Sequence, residues 1–153
     1  MTSLSILFAR QKGDLRQFVE GTLAIDRLRP GDRVLVAEAC THHPIAHDID
    51  RVKIPRWLRE YVAGELDFTT TGGHGLPDDL ASHQLVVHCG GCMWNRREML
   101  SRMLRCGELD VPITNYGMTI ACTLGLFERV LSPFPETLET YRLKQARRLR
   151  QNT

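Results

Sequence analysis

No apolar run in this 153-residue sequence is long enough to cross a bilayer. The longest, residues 118–127, stops at Glu128, well short of the roughly 18–20 residues that a spanning helix needs. No secretory signal is expected either: Met1-Thr2-Ser3-Leu4-Ser5 offers neither a basic start nor a small-residue cleavage site after an apolar run. Charge of one sign is scarce. The 20 Lys and Arg side chains face 18 Asp and Glu, and the net charge of +2 is too small to argue for nucleic acid or a membrane surface as partner. There is no internal repeat and no low-complexity segment. With 42% hydrophobic and 25% charged residues, the composition excludes disordered and collagen-like chains. A soluble, cytoplasmic, globular domain is expected, burying roughly 68–70% of the surface that its unfolded chain exposes.

Five cysteines are an odd number, and a cytosol keeps them reduced, so a disulfide framework is a poor reading. Metal binding or catalysis is the better use for them. Cys40, Cys89 and Cys92 sit beside histidines in polar, glycine-bearing surroundings, whereas Cys106 and Cys122 fall inside apolar helical patterns. The first three read as functional and the last two as packing.

Residues 13–29 carry Leu15, Phe18, Val19, Leu23 and Ile25 at helical spacing, and Pro30-Gly31-Asp32 ends that helix. Residues 33–39 form a short apolar, β-branched run, as expected of a strand buried on both faces. A second helix is predicted over 54–63, with Pro55 suited to its first turn. A weaker strand follows over 66–71, then a glycine loop at 72–75 and a short helix over 76–81. Residues 84–88 are a second clear strand. Residues 96–105 read as a helix with Met99, Leu100, Met103 and Leu104 on one side, and 111–117 as a last strand and turn. One helix is predicted over 118–131 from Ile120, Leu124, Phe127 and Leu131. Another follows over 136–151, whose basic end (Arg142, Lys144, Arg147, Arg148, Arg150) reads as solvated.

Short apolar strands alternating with amphipathic helices predict an α/β fold: a mostly parallel sheet of about four strands, covered by helices on both faces. Ligands of such sheets collect beyond the carboxyl ends of the strands. Cys40 follows the first strong strand and Cys89 the second, so the two clusters are expected to meet in space.

The chemistry-bearing pattern is Cys40-Thr41-His42, a gap of 45 residues, then His88-Cys89-Gly90-Gly91-Cys92. Thiolates select zinc, copper(I) or iron–sulfur clusters over hard cations, and the glycines let the backbone fold tightly around a metal centre. Three uses compete. Structural zinc would take Cys40, Cys89, Cys92 and one histidine, as in an interaction domain. A thiol oxidoreductase would use Cys89 and Cys92, but leaves Cys40 and the paired histidines unexplained. A 4Fe-4S cluster would take the three cysteines and leave one iron to an exchangeable ligand. His42 and His88 are the candidate fourth ligands, or partners of the centre that do not touch metal. His43 reads as a loop residue, and His47, His74 and His83 as surface residues. Arg51, Lys53, Arg56, Arg96 and Arg97 follow the two clusters; each reads either as part of a solvated helix face or as one of several that make the crevice electropositive, with Asn115 and Tyr116 on the same edge.

Four stretches match one family in order. Ala39-Cys40-Thr41-His42-His43, Arg51-Val52-Lys53-Ile54-Pro55-Arg56-Trp57-Leu58, His88-Cys89-Gly90-Gly91-Cys92-Met93 with Asn95-Arg96, and Val111-Pro112-Ile113-Thr114-Asn115-Tyr116-Gly117 closely resemble the C-terminal domain of HydF, the FeFe-hydrogenase maturation GTPase. The resemblance runs over about residues 4–134, and the family's C-x-H and H-C-x-x-C signature is present. It implies that Cys40, Cys89 and Cys92 ligate a 4Fe-4S cluster, with His42 or His88 near a labile fourth site. It further implies a scaffold or carrier that holds a diiron precursor of the hydrogenase active site, bridged by cyanide to the open iron, for transfer to apo FeFe-hydrogenase. Radical-SAM maturases and further copies of the chain are the other implied partners. None of the twelve glycines opens a G-x-x-x-x-G-K-[ST] loop, so GTP hydrolysis does not carry over and no enzyme activity is expected. The chain then reads as an excised or stand-alone cluster-binding domain over 11–153. Residues 1–10 read as a remnant of a preceding dimerisation domain's last strand.

Overall fold

The computed structural model describes residues 4–38, 52–91 and 94–151. Two of its strands are buried along almost their whole length and make the centre of one sheet: Arg33–Ala37 (β1) and Leu85–His88 (β3). Their alternating side chains feed two separate cores. Leu35, Ala37 and Val86 belong to one, and Val34, Leu85 and Val87 to the other. Each fully buried aliphatic side chain contributes about 1.5–3 kcal/mol, so strands with no polar face are stable only between two layers of helices. Asp67–Thr71 (β2) pairs with β1 on one side, and Ile113–Asn115 (β4) pairs with β3 on the other. All pairings are parallel, and the order is β2-β1-β3-β4. The predicted α/β class and strand number are those observed.

Parallel neighbours need crossovers, and the helices supply them. Ile54–Val62 (α3) connects β1 to β2, and Arg96–Glu108 (α4) connects β3 to β4. Leu4–Lys12 (α1) and Leu15–Leu23 (α2) precede β1; Tyr116–Thr123 (α5), Phe127–Leu131 (α6) and Pro135–Gln151 (α7) follow β4. Local chemistry sets their ends. Asp14 caps α2 by accepting from Gln17 N at 3.2 Å, and Asn95 with Glu98 forms a capping box on α4. Pro55 stands in the first turn of α3, and Asn115 accepts from Met118 N at 2.9 Å to start α5. Among the described residues, no helix is long and apolar enough to cross a membrane.

Several expectations are corrected. The helix expected over 118–131 is two helices, because Gly125 turns left-handed (φ +70°) and closes a Schellman stop, with Gly125 N on Cys122 O and Leu126 N on Ala121 O. Leu124, counted as core by periodicity, is therefore exposed. The residues expected as a strand remnant include helix α1, whose Ile6 and Ala9, three apart on one face, are buried in the core with Phe18 and Met118. Only Leu80–Ser82, a single 3-10 turn, replaces the short helix expected over 76–81. On α4 the buried stripe is Met99, Arg102, Met103 and Cys106, and Leu104 faces solvent. The basic end of α7 is not simply solvated. Arg142 pairs with Glu128 at 2.7 Å, Lys144 with Glu20, and Arg148 with Asp26 at 2.9 Å, binding α7 to α6 and to the α2 end of the chain.

At Gly21, α2 lies directly on the backbone of β4. A Cβ added to Gly21 would lie 1.9 Å from the carbonyl oxygen of Ile113 and 2.4 Å from its carbonyl carbon, both backbone atoms that cannot rotate away. In an unconstrained helix interior, Gly→Ala gains about 0.5–1 kcal/mol. Here Gly21→Ala is expected to destabilise by about 1–3 kcal/mol or more, read from the urea midpoint. A neutral or stabilised variant would contradict this packing.

Candidate functional site

From β1 the chain crosses through α3 to β2 on one side, and afterwards enters β3 on the other side of β1. The carboxyl ends of β1 and β3 therefore flank the point where the strand order reverses, the place where open parallel sheets bind ligands. The two ends are in register. Ala37 pairs with His88, and Cys89 N donates to Ala37 O at 2.9 Å.

Cys89 is part-exposed at the mouth of this crevice. The turn after it is confined by helices. Gly91 adopts φ +64°, and a Cβ there would come within 2.4 Å of Met99 Cε on α4. Lys12 at the end of α1 donates from Nζ to Gly91 O at 3.2 Å. Glu38, directly after β1, is buried, and its N–H bonds to Thr71 O at 2.8 Å at the carboxyl end of β2.

His88 is fully buried, and both of its ring nitrogens are engaged. Arg102 Nη1 lies 3.0 Å from Nε2, and Cys89 O lies 2.6 Å from Nδ1. An arginine can only donate, so Nε2 accepts and Nδ1–H donates to the Cys89 carbonyl. Burial holds the imidazole neutral by pushing its pKa down to about 4. The Arg102 cation adds to this, and the bond to the Cys89 carbonyl opposes it.

Arg102 itself is 4% exposed. Its Cζ stands 4.0 Å over the Trp94 ring, and Nη2 donates to Gly73 O and, at 3.3 Å, to Gly75 O. Its Nε is buried with no hydrogen-bond partner among the described residues. Burial lowers its pKa to about 10, with the neighbouring Cys89, Cys106 and Glu98 opposing the shift, so it is a cation at neutral pH. His74 stacks on Trp94 at 5.6 Å, and a pocket of about 210 Å³ opens between His74, Trp94, Arg97, Glu98, Ser101 and Arg102.

Of the expected site residues, Cys89 and His88 are placed together at this crevice, while Cys40, His42 and Cys92 lie outside the described residues. So do His43, His47 and Arg51. Among the described residues, no group of three or more His, Cys, Asp or Glu side chains is gathered as a metal ion would require. The expected basic rim is differently built. Arg56 is exposed and paired with Glu60 at 2.9 Å, and Arg96 holds the end of α1 through Gln11 O and Gly13 O. Among the described residues, Lys12 bonds the Cys89 turn directly and Arg102 reaches it through His88, and sequence reasoning missed both. Arg102 was detectable as the one charged residue on the α4 stripe between Met99 and Cys106. Asn115 is a buried cap whose Nδ2 donates to Ser5 O at 3.1 Å, and Tyr116 packs with the α3-side core. His83, expected at the surface, is 4% exposed, with Nε2 2.7 Å from the Thr69 hydroxyl. It stands at the opposite end of the sheet.

A family model described as the hydrogen maturase F tetramerization domain matches residues 16–133. No curated protein matches the chain.

Cys106 and Cys122 are buried, and burial pushes both thiols up to about 11. At pH 8 that holds their reactive thiolate about a hundredfold below that of an ordinary thiol. Metal-free native protein treated with iodoacetamide is therefore expected to be labelled at Cys89 and to stay unlabelled at Cys106 and Cys122 until denaturant is added. Peptide mass spectrometry reads this, and early labelling of Cys106 would refute the assignment.

Proposed function

Because the chain belongs to the hydrogen maturase F tetramerization-domain family, we propose that it is a homo-oligomeric scaffold of FeFe-hydrogenase maturation, carrying a 4Fe-4S cluster at the carboxyl ends of β1 and β3. One observation carries the cluster reading: the register that puts Ala37 beside His88, with Cys89 N on Ala37 O, at the point of strand-order reversal. Cys40 follows Glu38 by two residues in the sequence, and Cys92 follows Gly91 directly. The donor set suits the group. Three thiolates are soft ligands for iron–sulfur centres, and a buried guanidinium with an unpartnered Nε suits an anionic neighbour.

In this role Cys40, Cys89 and Cys92 hold the cluster. When bound, the cluster supplies an iron with an exchangeable position. The fourth ligand is His42, His88 or an exogenous group, and His88 could serve only by giving up its bond from Arg102. Weak ligation there fits a carrier that must take up a diiron precursor and release it to apo-hydrogenase, with radical-SAM maturases as upstream partners. The chain's own part is binding and release, not catalysis.

Anaerobically reconstituted protein is expected to hold about four irons and four sulfides per chain, and Cys40→Ala, Cys89→Ala and Cys92→Ala each to abolish the cluster. Stoichiometric zinc with refusal of iron would replace this reading with a structural zinc site, and a reversible Cys89–Cys92 disulfide without metal would replace it with a redox dithiol. The family's description supports a tetramer. Four chains of 17.4 kDa should scatter light as a particle of about 70 kDa, and a species that stays monomeric at high concentration would overturn the oligomer.

A further inference from the structure

We propose that Arg102 is the built-in counter-charge of the anionic centre held by Cys89, a positioning residue that raises the tendency of that centre to accept an electron. This rests on the cluster reading above. The argument begins with a cation in an expensive place. Arg102 is 4% exposed, and each of its hydrogen-bond acceptors among the described residues is neutral: the His88 imidazole and the carbonyls of Gly73 and Gly75. Among the described residues it makes no ion pair, and its Nε has no partner. A buried charge without a counter-charge is strongly unfavourable, so such a residue points to an anion.

Three negative candidates lie within its field: Cys89, Cys106 and Glu98. Cys106 is a buried thiol kept protonated, and so supplies no charge. The Glu98 carboxylate is occupied at the head of α4, accepting from Asn95 N at 3.3 Å, and stands by His74 at the rim, where water screens it. Cys89 remains. It is also the one joined to Arg102 by a continuous path, from Nη1 to His88 Nε2 and from His88 Nδ1–H to the Cys89 carbonyl. Trp94 under the guanidinium and the Gly73 and Gly75 carbonyls fix the cation in place.

The consequence is electrostatic. An oxidised cubane core bound by three thiolates carries one net negative charge, and one-electron reduction adds a second. A fixed buried cation favours the more negative state, and so raises the potential.

The full chain is loaded anaerobically, and its cluster is titrated at an electrode that supplies the single electron. Arg102→Met keeps an unbranched stem against Trp94 without the charge, Arg102→Gln is a second uncharged variant, and Arg102→Lys keeps the charge without the fork. With iron content equal to wild type, the uncharged variants should shift the redox equilibrium at least tenfold toward the oxidised cluster, a fall of 59 mV for a one-electron couple. Arg102→Lys should stay close to wild type. Wild-type protein that takes up no iron overturns this proposal together with the cluster reading. Iron-loaded variants with an unshifted potential overturn this proposal alone. Failure of both uncharged variants to fold, judged by circular dichroism, would mark a purely structural cation and overturn it as well.

Discussion

Because β1 and β3 run parallel with Ala37 opposite His88, the two strands end at the same edge of the sheet, and the chain must leave that edge twice. The departures go to opposite sides, since β2 lies beyond β1 and β4 beyond β3. Two segments 45 residues apart in sequence, one with Cys40-Thr41-His42 and one with His88-Cys89-Gly90-Gly91-Cys92, thus start from neighbouring backbone positions. A slip of one residue between β1 and β3 would turn every side chain of the slipped strand to the other core. The same apolar alternation that stabilises the sheet therefore also aligns the crevice.

Around this edge the helices act as walls with distinct duties. Through Lys12, α1 bonds the Gly91 carbonyl, and its Ser5 carbonyl accepts from Asn115 at the end of β4. α4 brings Arg102 beneath the β3 end and Met99 against Gly91. On the far side of the sheet α3 packs Ile54 and Leu58 against Val34 and Val87. The family match covers residues 16–133, so α1 lies outside the matched residues, yet it borders the Cys89 turn.

The sequence made the sheet legible because its central strands have no polar face: 33–37 and 85–88 can be little else, and their order follows from the helices between them. The edge strand β2 was fainter, since its Asp67, Thr69, Thr70 and Thr71 alternate poorly. Periodicity failed where a single residue overrules it. The spacing of Ile120, Leu124, Phe127 and Leu131 continues across Gly125, but the backbone does not. Polar residues inside the core were the least legible. Arg102 and His83 have the composition of surface residues, and only their tertiary partners, His88 and Trp94 for one and Thr69 for the other, reveal them as interior. The meeting of the cysteines across the sheet was readable as an expectation; of the three only Cys89 is described, and its N–H on Ala37 O puts it beside the end of β1.

The attachment of α7 has a different physical character from the rest. Seventeen residues long, this helix buries only Tyr141, edge-on to Phe127 at 4.9 Å, with Leu138 partly covered. Its other ties include three ion pairs, Arg142 to Glu128, Lys144 to Glu20 and Arg148 to Asp26. Such pairs weaken as the Debye length shortens, from about 10 Å at 0.1 M salt to about 3 Å at 1 M, whereas apolar burial does not. The domain therefore answers to two solvent variables. Opening the strand-centred core takes global unfolding by denaturant, while ionic strength governs how tightly the outermost helix is latched, so a salt-dependent opening of α7 that leaves β1 and β3 protected is the expected route of its amide exchange.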